Sequence, residues 1–204
     1  DRKCYEDLAT KFLEHFMRIS AAMVNCGGKG HSLWDPVDGF FYDVLSLPDD
    51  TIVHLKVRSM VGLLPLLAVE TTSKEFFDLH PLFRNRMDWF LHRHPEFHES
   101  VASFELQTSG NKELLAMLSR ERLISVLGYM LDENEFLSEY GIRSLSKYHE
   151  QNPYKIELGG NTYTISYEPA ESKSRIFGGN SNWRGPVWLP LNFLIIESLQ
   201  KFHY

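Results

Sequence analysis

Apolar positions at the start of the chain recur at Tyr5, Leu8, Phe12, Phe16, Ile19 and Met23, with Ala9 and Leu13 widening the stripe on one side. That spacing predicts an amphipathic helix over CYEDLATKFLEHFMRISAAMVN, closed by Gly27 and Gly28. The next stretch, HSLWDPVDGFFYDVLSLPDD, is rich in Asp, Pro and Gly and interleaved with aromatics, and it reads as a loop. Residues 55–70, LKVRSMVGLLPLLAVE, are apolar on nearly every side, which predicts a buried helix kinked or broken at Pro65. SKEFFDLHPLFRNRMDWFLHRH predicts a third helical stretch, interrupted by Pro81, and SFELQTSGNKELLAML a loop followed by a short helix. SRERLISVLGYML predicts a fourth good helix, with Ser119 as its N-cap, and DENEFLSEYGIRSLS a short helix ended by Gly141.

The period then changes. Tyr154, Ile156 and Leu158 alternate with polar residues, Gly159-Gly160-Asn161 turns, and Tyr163, Ile165 and Tyr167 alternate back. This predicts a β-hairpin. The chain closes on PVWLPLNFLIIESLQKFH, a strongly apolar helix. Amphipathic and all-apolar helices in succession imply helices packed in two layers, so the expected class is mainly α with one small β-hairpin, in a single region spanning residues 1–204.

Composition narrows the function classes. With 43% hydrophobic and 24% charged residues the chain reads as a soluble globular protein. A formal charge of −6 and the lack of a basic stripe argue against a nucleic-acid partner, and no apolar run is long enough to cross a bilayer. Cys4 and Cys26 flank the first helix, about 30 Å apart along it, which is too far to bridge. With no Asn-x-Ser/Thr sequon present, a reducing, cytoplasmic location is expected. The start and the end both read as cut from something longer.

Chemistry concentrates in two loops. The first holds Trp34, Asp35, Asp38, Phe40, Phe41, Tyr42 and Asp43; the second holds Asn182, Trp183, Arg184 and Trp188 in RIFGGNSNWRGPVWLPLNFL. Sugars suit such a lining, because their C–H faces lie on aromatic rings while carboxylates, amides and guanidinium groups take their hydroxyls. The competing reading makes the aromatics core plugs and the aspartates turn formers. His92, His94 and His98 invite a metal, but Pro95 breaks the helix that i, i+4 ligation needs; no metal and no cofactor are expected. NCGGKGHS lacks phosphate-loop spacing, and Ser59 and Ser181 lack a nucleophile elbow. Paired carboxylates for glycoside hydrolysis could come from Asp35, Asp38, Asp43, Glu168 or Glu171, but spacing alone does not set any two across a pocket.

Four ordered blocks, LWDPVDGFFYDVL, LKVRSMVGLLPLLAVE, YGIRSLSKYH and YEPAESKSRIFGGNSNWRGPVWLPLNFLIIESLQKF, resemble the C-terminal catalytic domain of glycoside hydrolase family 63. The resemblance implies an (α/α)6 toroid whose loops at one end form a sugar pocket, and hydrolysis of α-glycosidic bonds with inversion. By the same matching Trp183 and Arg184 lie near the sugar, with Asn182 and Trp188 on the same loop, and Trp34, Asp35 and Asp43 belong to a second pocket-side loop. The family's general acid lies upstream of the first block and its general base downstream of the last, so no catalytic residue is assigned. About half a twelve-helix ring is expected. The implied partners are an oligosaccharide or small glycoside, and the remainder of the barrel, or another protein, covering apolar flanks such as Leu191, Phe193 and Ile195. The alternative is a non-catalytic helical carbohydrate-binding or scaffold module.

Overall fold

The computed structural model describes residues 2–25, 31–95, 97, 112–168 and 187–203. The helices are α1 (Arg2–Val24), a 3-10 helix (Met60–Leu67), α2 (Lys74–Leu79), α3 (Pro81–Arg93), α4 (Arg120–Met130), α5 (Tyr148–Gln151) and α6 (Leu189–His203). The strands are β1 (Trp34–Asp35), β2 (Phe40–Phe41), β3 (Asp43–Ser46), β4 (Ile52–Leu55), β5 (Val69–Ser73), β6 (Lys112–Ala116), β7 (Leu137–Ser138), β8 (Gly141–Ile142), β9 (Tyr154–Leu158) and β10 (Asn161–Ile165). About half of the described residues are helical, and the strands form antiparallel pairs.

The expected hairpin is present, with Ile156 opposite Tyr163 and Leu158 opposite Asn161. Its two-residue loop places both Gly159 (φ 57°) and Gly160 (φ 78°) in the left-handed region, which a type I′ turn requires. Pro81 breaks the third helical stretch as expected, starting α3 after α2 has ended at Leu79, with the Ser73 hydroxyl capping α2 through the Phe76 amide at 3.2 Å.

Other expectations are corrected. The aromatic loop is two strand pairs, β1–β2 and β3–β4. Residues 55–70 are not one helix: Leu55 ends β4, only Met60–Leu67 is helical, and Val69 opens β5. Pro65 has no N–H for an α-helical ladder, and the segment's backbone is drawn outward instead, with the Met60 amide on the Ser144 carbonyl at 2.8 Å. KELLA, expected as helix, is strand β6. The β-branched strand β5 offers an edge, and the pairing of Glu70 with Leu115 overrides local helix propensity. The short helix expected before Gly141 is the pair β7–β8. There Gly141 has φ 127°, and the Asn192 amide brackets Ile142 by accepting its N–H at 2.7 Å and donating to its carbonyl at 3.2 Å.

The chain divides into two compact units. The first comprises Asp1–Ser32, Pro65–Glu121 and Glu197–Tyr204. Its core is Leu13 and Met17 of α1 against Phe83, Phe90, Leu91 and Phe97, with Phe76, Phe77 and Leu115 packed around them. The apolar stripe of α1 is split, with Leu13 in that core and Ala9 and Phe16 packed on it. Tyr5, Leu8, Phe12 and Ile19 are exposed, while Glu6, Thr10, Leu13, Met17 and Ser20 are buried. The hydroxyls tolerate burial because each bonds back within the helix, Thr10 to the Glu6 carbonyl at 2.8 Å and Ser20 to the Phe16 carbonyl at 2.9 Å.

The second unit comprises Leu33–Leu64 and Arg122–Ile196. Phe40, fully buried, contacts Tyr42, Tyr129 and Phe136, and a smaller cluster joins Val57, Leu145 and Ile165. On α6 the expected exposed flank holds for Phe193, but Leu191 and Ile195 are buried; the exposed apolar residues are Leu189, Phe193, Leu194 and Ile196. The apolar residues of α6 repeat on more than one side, and that pattern does not choose the inward side.

Candidate functional site

Of the residues singled out in the first aromatic loop, Trp34, Asp35, Asp38, Phe40 and Phe41 lie in the β1–β2 pair and its turn, in the second unit. Trp34 packs edge-on against Phe41 with ring centroids 4.8 Å apart, and the Arg122 guanidinium lies 5.2 Å from the Trp34 ring centre. Asp35 builds the turn. Its Oδ1 accepts the Val37 and Asp38 amides at 2.9 and 3.0 Å, and its Oδ2 pairs with the Lys56 ammonium at 2.8 Å. Lys56 holds the Asp35 carboxyl below the usual carboxylate range, against the opposing effect of burial. Both carboxylate oxygens thus have partners, Oδ1 the two amides and Oδ2 the Lys56 ammonium.

Around this turn lies a polar network. Lys56 also reaches Asp38 at 3.2 Å; the Tyr42 hydroxyl donates to Asp38 Oδ2 at 2.9 Å; and the Tyr129 hydroxyl donates to the Asp38 carbonyl at 2.6 Å. Behind it, Arg58 pairs with Glu135, whose other oxygen accepts from the Ser146 hydroxyl. The Arg58 guanidinium lies 4.0 Å from the Tyr148 ring centre and 5.0 Å from that of Tyr129. The Arg58 amide donates to His149 Nε2 at 2.9 Å, so His149 carries its proton on Nδ1, which donates to the Asn152 carbonyl at 3.0 Å.

Burial pushes the Tyr42 hydroxyl well above the usual tyrosine range, and Asp38 adds to the shift although Arg58 works against it. A native phenol that keeps its proton while the unfolded one ionises makes the unfolded state bind fewer protons above about pH 10, so stability falls as pH rises there. The Tyr42 contribution to that slope is up to about 1.4 kcal/mol per pH unit. Tyr42→Phe is expected to lower stability by about 1 kcal/mol at neutral pH, through loss of the Asp38 hydrogen bond, and to flatten the alkaline limb. Urea titrations from pH 7 to 11 read both effects, and an unchanged alkaline slope would contradict the assignment.

Asp43 opens β3 opposite Leu55 and is half-buried, and Trp188 lies just before α6, its carbonyl accepting the Asn192 amide and side-chain N–H groups at 3.0 Å each. Asn182, Trp183 and Arg184, like Glu171 and His98, lie outside the described residues. His92 donates to the Asp88 carbonyl at 2.7 Å and the His94 ring stacks near Phe90 and Phe97. Among the described residues no group of three or more His, Cys, Asp or Glu side chains is placed to hold a metal, and no helix is long and apolar enough to cross a membrane. Lys56, Arg58, Tyr129, Glu135, Ser146 and His149 were not singled out from sequence. The signal available was two cations two apart in HLKVRS, an alternation that suits a strand better than the helix expected there.

Residues 112–204 match the profile of the Glycosyl hydrolase family 63 C-terminal domain. The blocks YGIRSLSKYH and YEPAES…QKF fall inside that match, while LWDPVDGFFYDVL and LKVRSMVGLLPLLAVE precede it. The chain is 44% identical, over 98% of its length, to "Uncharacterized protein YMR196W" of Saccharomyces cerevisiae, and it spans 19% of that protein. A stretch covering 39% of the chain is 38% identical to 7% of a Schizosaccharomyces pombe protein described as "Probable mannosyl-oligosaccharide glucosidase".

Proposed function

We propose that the chain is part of an inverting α-glycosidase of α-glucosidase type, reading the match of residues 112–204 to the glycosyl hydrolase family 63 C-terminal domain as membership of that family. The family match is the observation that carries the reading, and the glucosidase relative supports it. The substrate is an oligosaccharide or small glycoside. This segment supplies pocket loops of an (α/α)6 toroid, about half of the ring, with Trp34, Asp35, Asp43, Asn182, Trp183, Arg184 and Trp188 on the sugar side. The aromatic, carboxylate and cation grouping at the β1–β2 turn is chemistry a sugar ring would use. The acid and base, which an inverting enzyme holds roughly 6.5–9.5 Å apart around a water, lie in the rest of the polypeptide. The use of cysteine supports a cytoplasmic setting.

NMR of the intact parent protein acting on α-glucosides tests this, with the β-anomer expected as the first product. Release of the α-anomer, or of no sugar from any α-glucoside or α-mannoside, would end the proposal. Arg184→Ala in that protein is expected to lower turnover at least about 100-fold, with little change in melting temperature. Equal losses of both would make Arg184 structural. The commitment of Asp35 to its turn and to Lys56 favours, as a second reading, a helical carbohydrate-binding or scaffold module. Sugar binding without turnover by the intact protein would select it.

A further inference from the structure

We propose that Asn192 is a positioning residue for Trp188, tying the start of α6 to the β7–β8 pair. The proposal rests on the reading that Trp188 lies on the sugar side. In a two-stranded pair every second residue turns its N–H and C=O away from the partner strand, where they need another partner. On β8 that residue is Ile142. The Asn192 side chain serves both groups, Oδ1 accepting the N–H at 2.7 Å and Nδ2 donating to the carbonyl at 3.2 Å. One side-chain amide thus does for β8 what a third strand would do.

The same amide reaches back along its own helix. Its Nδ2 also donates to the Trp188 carbonyl at 3.0 Å, and that carbonyl accepts the Asn192 main-chain N–H at 3.0 Å as the first bond of α6. A carboxamide has two N–H donors and one oxygen, so two carbonyls and one N–H fix its orientation, and no flipped form satisfies all three. Trp188 is therefore tied twice, by the first turn of α6 and, through Asn192, to a strand residue 50 positions before that asparagine.

Gly141 marks how closely the parts meet. A Cβ there would lie 2.8 Å from Asn192 Oδ1 and 3.1 Å from Val187 Cγ1, and its φ of 127° disfavours any side chain. The glycine lets β8 approach both the asparagine and the residue before Trp188. The Ser138 hydroxyl donates to the Gly141 carbonyl at 2.6 Å and fixes that peptide further. A slide of α6 along β8 would break both bonds to Ile142, so the place of Trp188 is set against the hairpin. Placement matters for a ring that carries a sugar face, because a shift of about 1 Å at a substrate costs about 100-fold in rate.

The experiment compares Asn192→Leu, Trp188→Ala and the double variant of the intact parent protein, at a temperature where each is fully folded. The probe is p-nitrophenyl α-glucoside or α-mannoside, whichever the unsubstituted protein hydrolyses faster. Asn192→Leu keeps the volume and removes all three side-chain bonds. It is expected to lower kcat/KM about 30- to 100-fold, but by no more than about 2-fold in the Trp188→Ala background, where nothing is left to place. Losses that multiply in the double variant, or an Asn192→Leu protein within about 3-fold of the unsubstituted one, would overturn the proposal and leave the glycosidase reading intact. Release of no sugar from any α-glucoside or α-mannoside by the unsubstituted protein would instead remove the reading that Trp188 faces a sugar, and the proposal with it. Should Asn192→Leu fail to fold, Asn192→Asp takes its place in the cycle: the acceptor for the Ile142 N–H remains, while an oxygen meets the two carbonyls. Hydrogen exchange at the Ile142 amide gives a reading that needs no turnover. Its rate is expected to rise at least about 10-fold in Asn192→Leu, and an unchanged rate would mean that the tie is not made.

Discussion

Replacing Glu135 with alanine is expected to lower the unfolding free energy by about 3–5 kcal/mol, because it strands a largely buried guanidinium. The Arg58 and Glu135 side chains retain only 17% and 11% of their exposure. With Glu135 gone, Arg58 keeps the faces of Tyr148 and Tyr129 but loses its counter-charge, and the buried Ser146 hydroxyl loses its acceptor. The loss extends beyond one pair. The backbone of the same segment is held by the Arg58 amide on His149 and by the Ser146 amide on the Arg58 carbonyl at 2.9 Å. Arg58→Lys is expected to recover little of an Arg58→Ala loss, since an ammonium cannot lie flat between two rings while reaching a carboxylate. Urea denaturation of each variant reads these values. A loss below about 1 kcal/mol for Glu135→Ala would mean that the pair behaves as a solvent-screened surface bridge.

Phe40→Ala is expected to be as damaging, at about 3–5 kcal/mol, for an apolar reason. Phe40 is fully buried, with its ring centroid 5.8 Å from Phe136 and 5.1 Å from Tyr129, so truncation leaves a cavity that rigid rings cannot collapse into. The opposite error is set by Gly62. A Cβ there would overlap the Phe40 ring edge, lying 2.6 Å from Cζ, and approach the Phe41 carbonyl oxygen at 2.5 Å. Gly62→Ala therefore overpacks the same site and is expected to lower stability by about 1–3 kcal/mol. Combining Gly62→Ala with Phe40→Leu should be less harmful than the sum of the two, because the smaller side chain vacates space that the new methyl needs. Strict additivity would show that the methyl is resisted by the Phe41 backbone rather than by the ring.

The two variants also show how the candidate site was legible and how it was not. Trp34, Asp35 and Asp43 were picked out by residue type, and the structure sets Trp34 and Asp35 in one turn with Arg122 and Lys56. The role of Asp35 within that turn follows from the amides of residues 37 and 38, which Asp-Pro and Gly near it in sequence do announce. Arg58, Glu135, Ser146 and His149 carried no such signal. Arg58 meets Glu135 and His149 across 77 and 91 residues, and the cations of HLKVRS do not say which carboxylate either will meet.

What the sequence by itself determined are the features carried by neighbours along the chain. The helical period of residues 2–24, the break at Pro81 and the glycine-permitted turn at Gly159 and Gly160 are all satisfied within a few residues. The stretch that matches the glycosyl hydrolase family 63 C-terminal domain, residues 112–204, is likewise a linear string. Only the tertiary structure decided that KELLA is a strand, since its hydrogen-bonding partner is β5, some forty residues earlier, and pairing outweighs a propensity of a few tenths of a kcal/mol. Only it decided which side of α1 turns inward. Both the Tyr5–Ile19 stripe and the Leu13–Met17 side are apolar enough to bury, and helical periodicity marks a face without naming what covers it; the choice fell to Phe83, Phe90 and Leu91 of α3, with the Thr10 and Ser20 hydroxyls satisfied inside the helix.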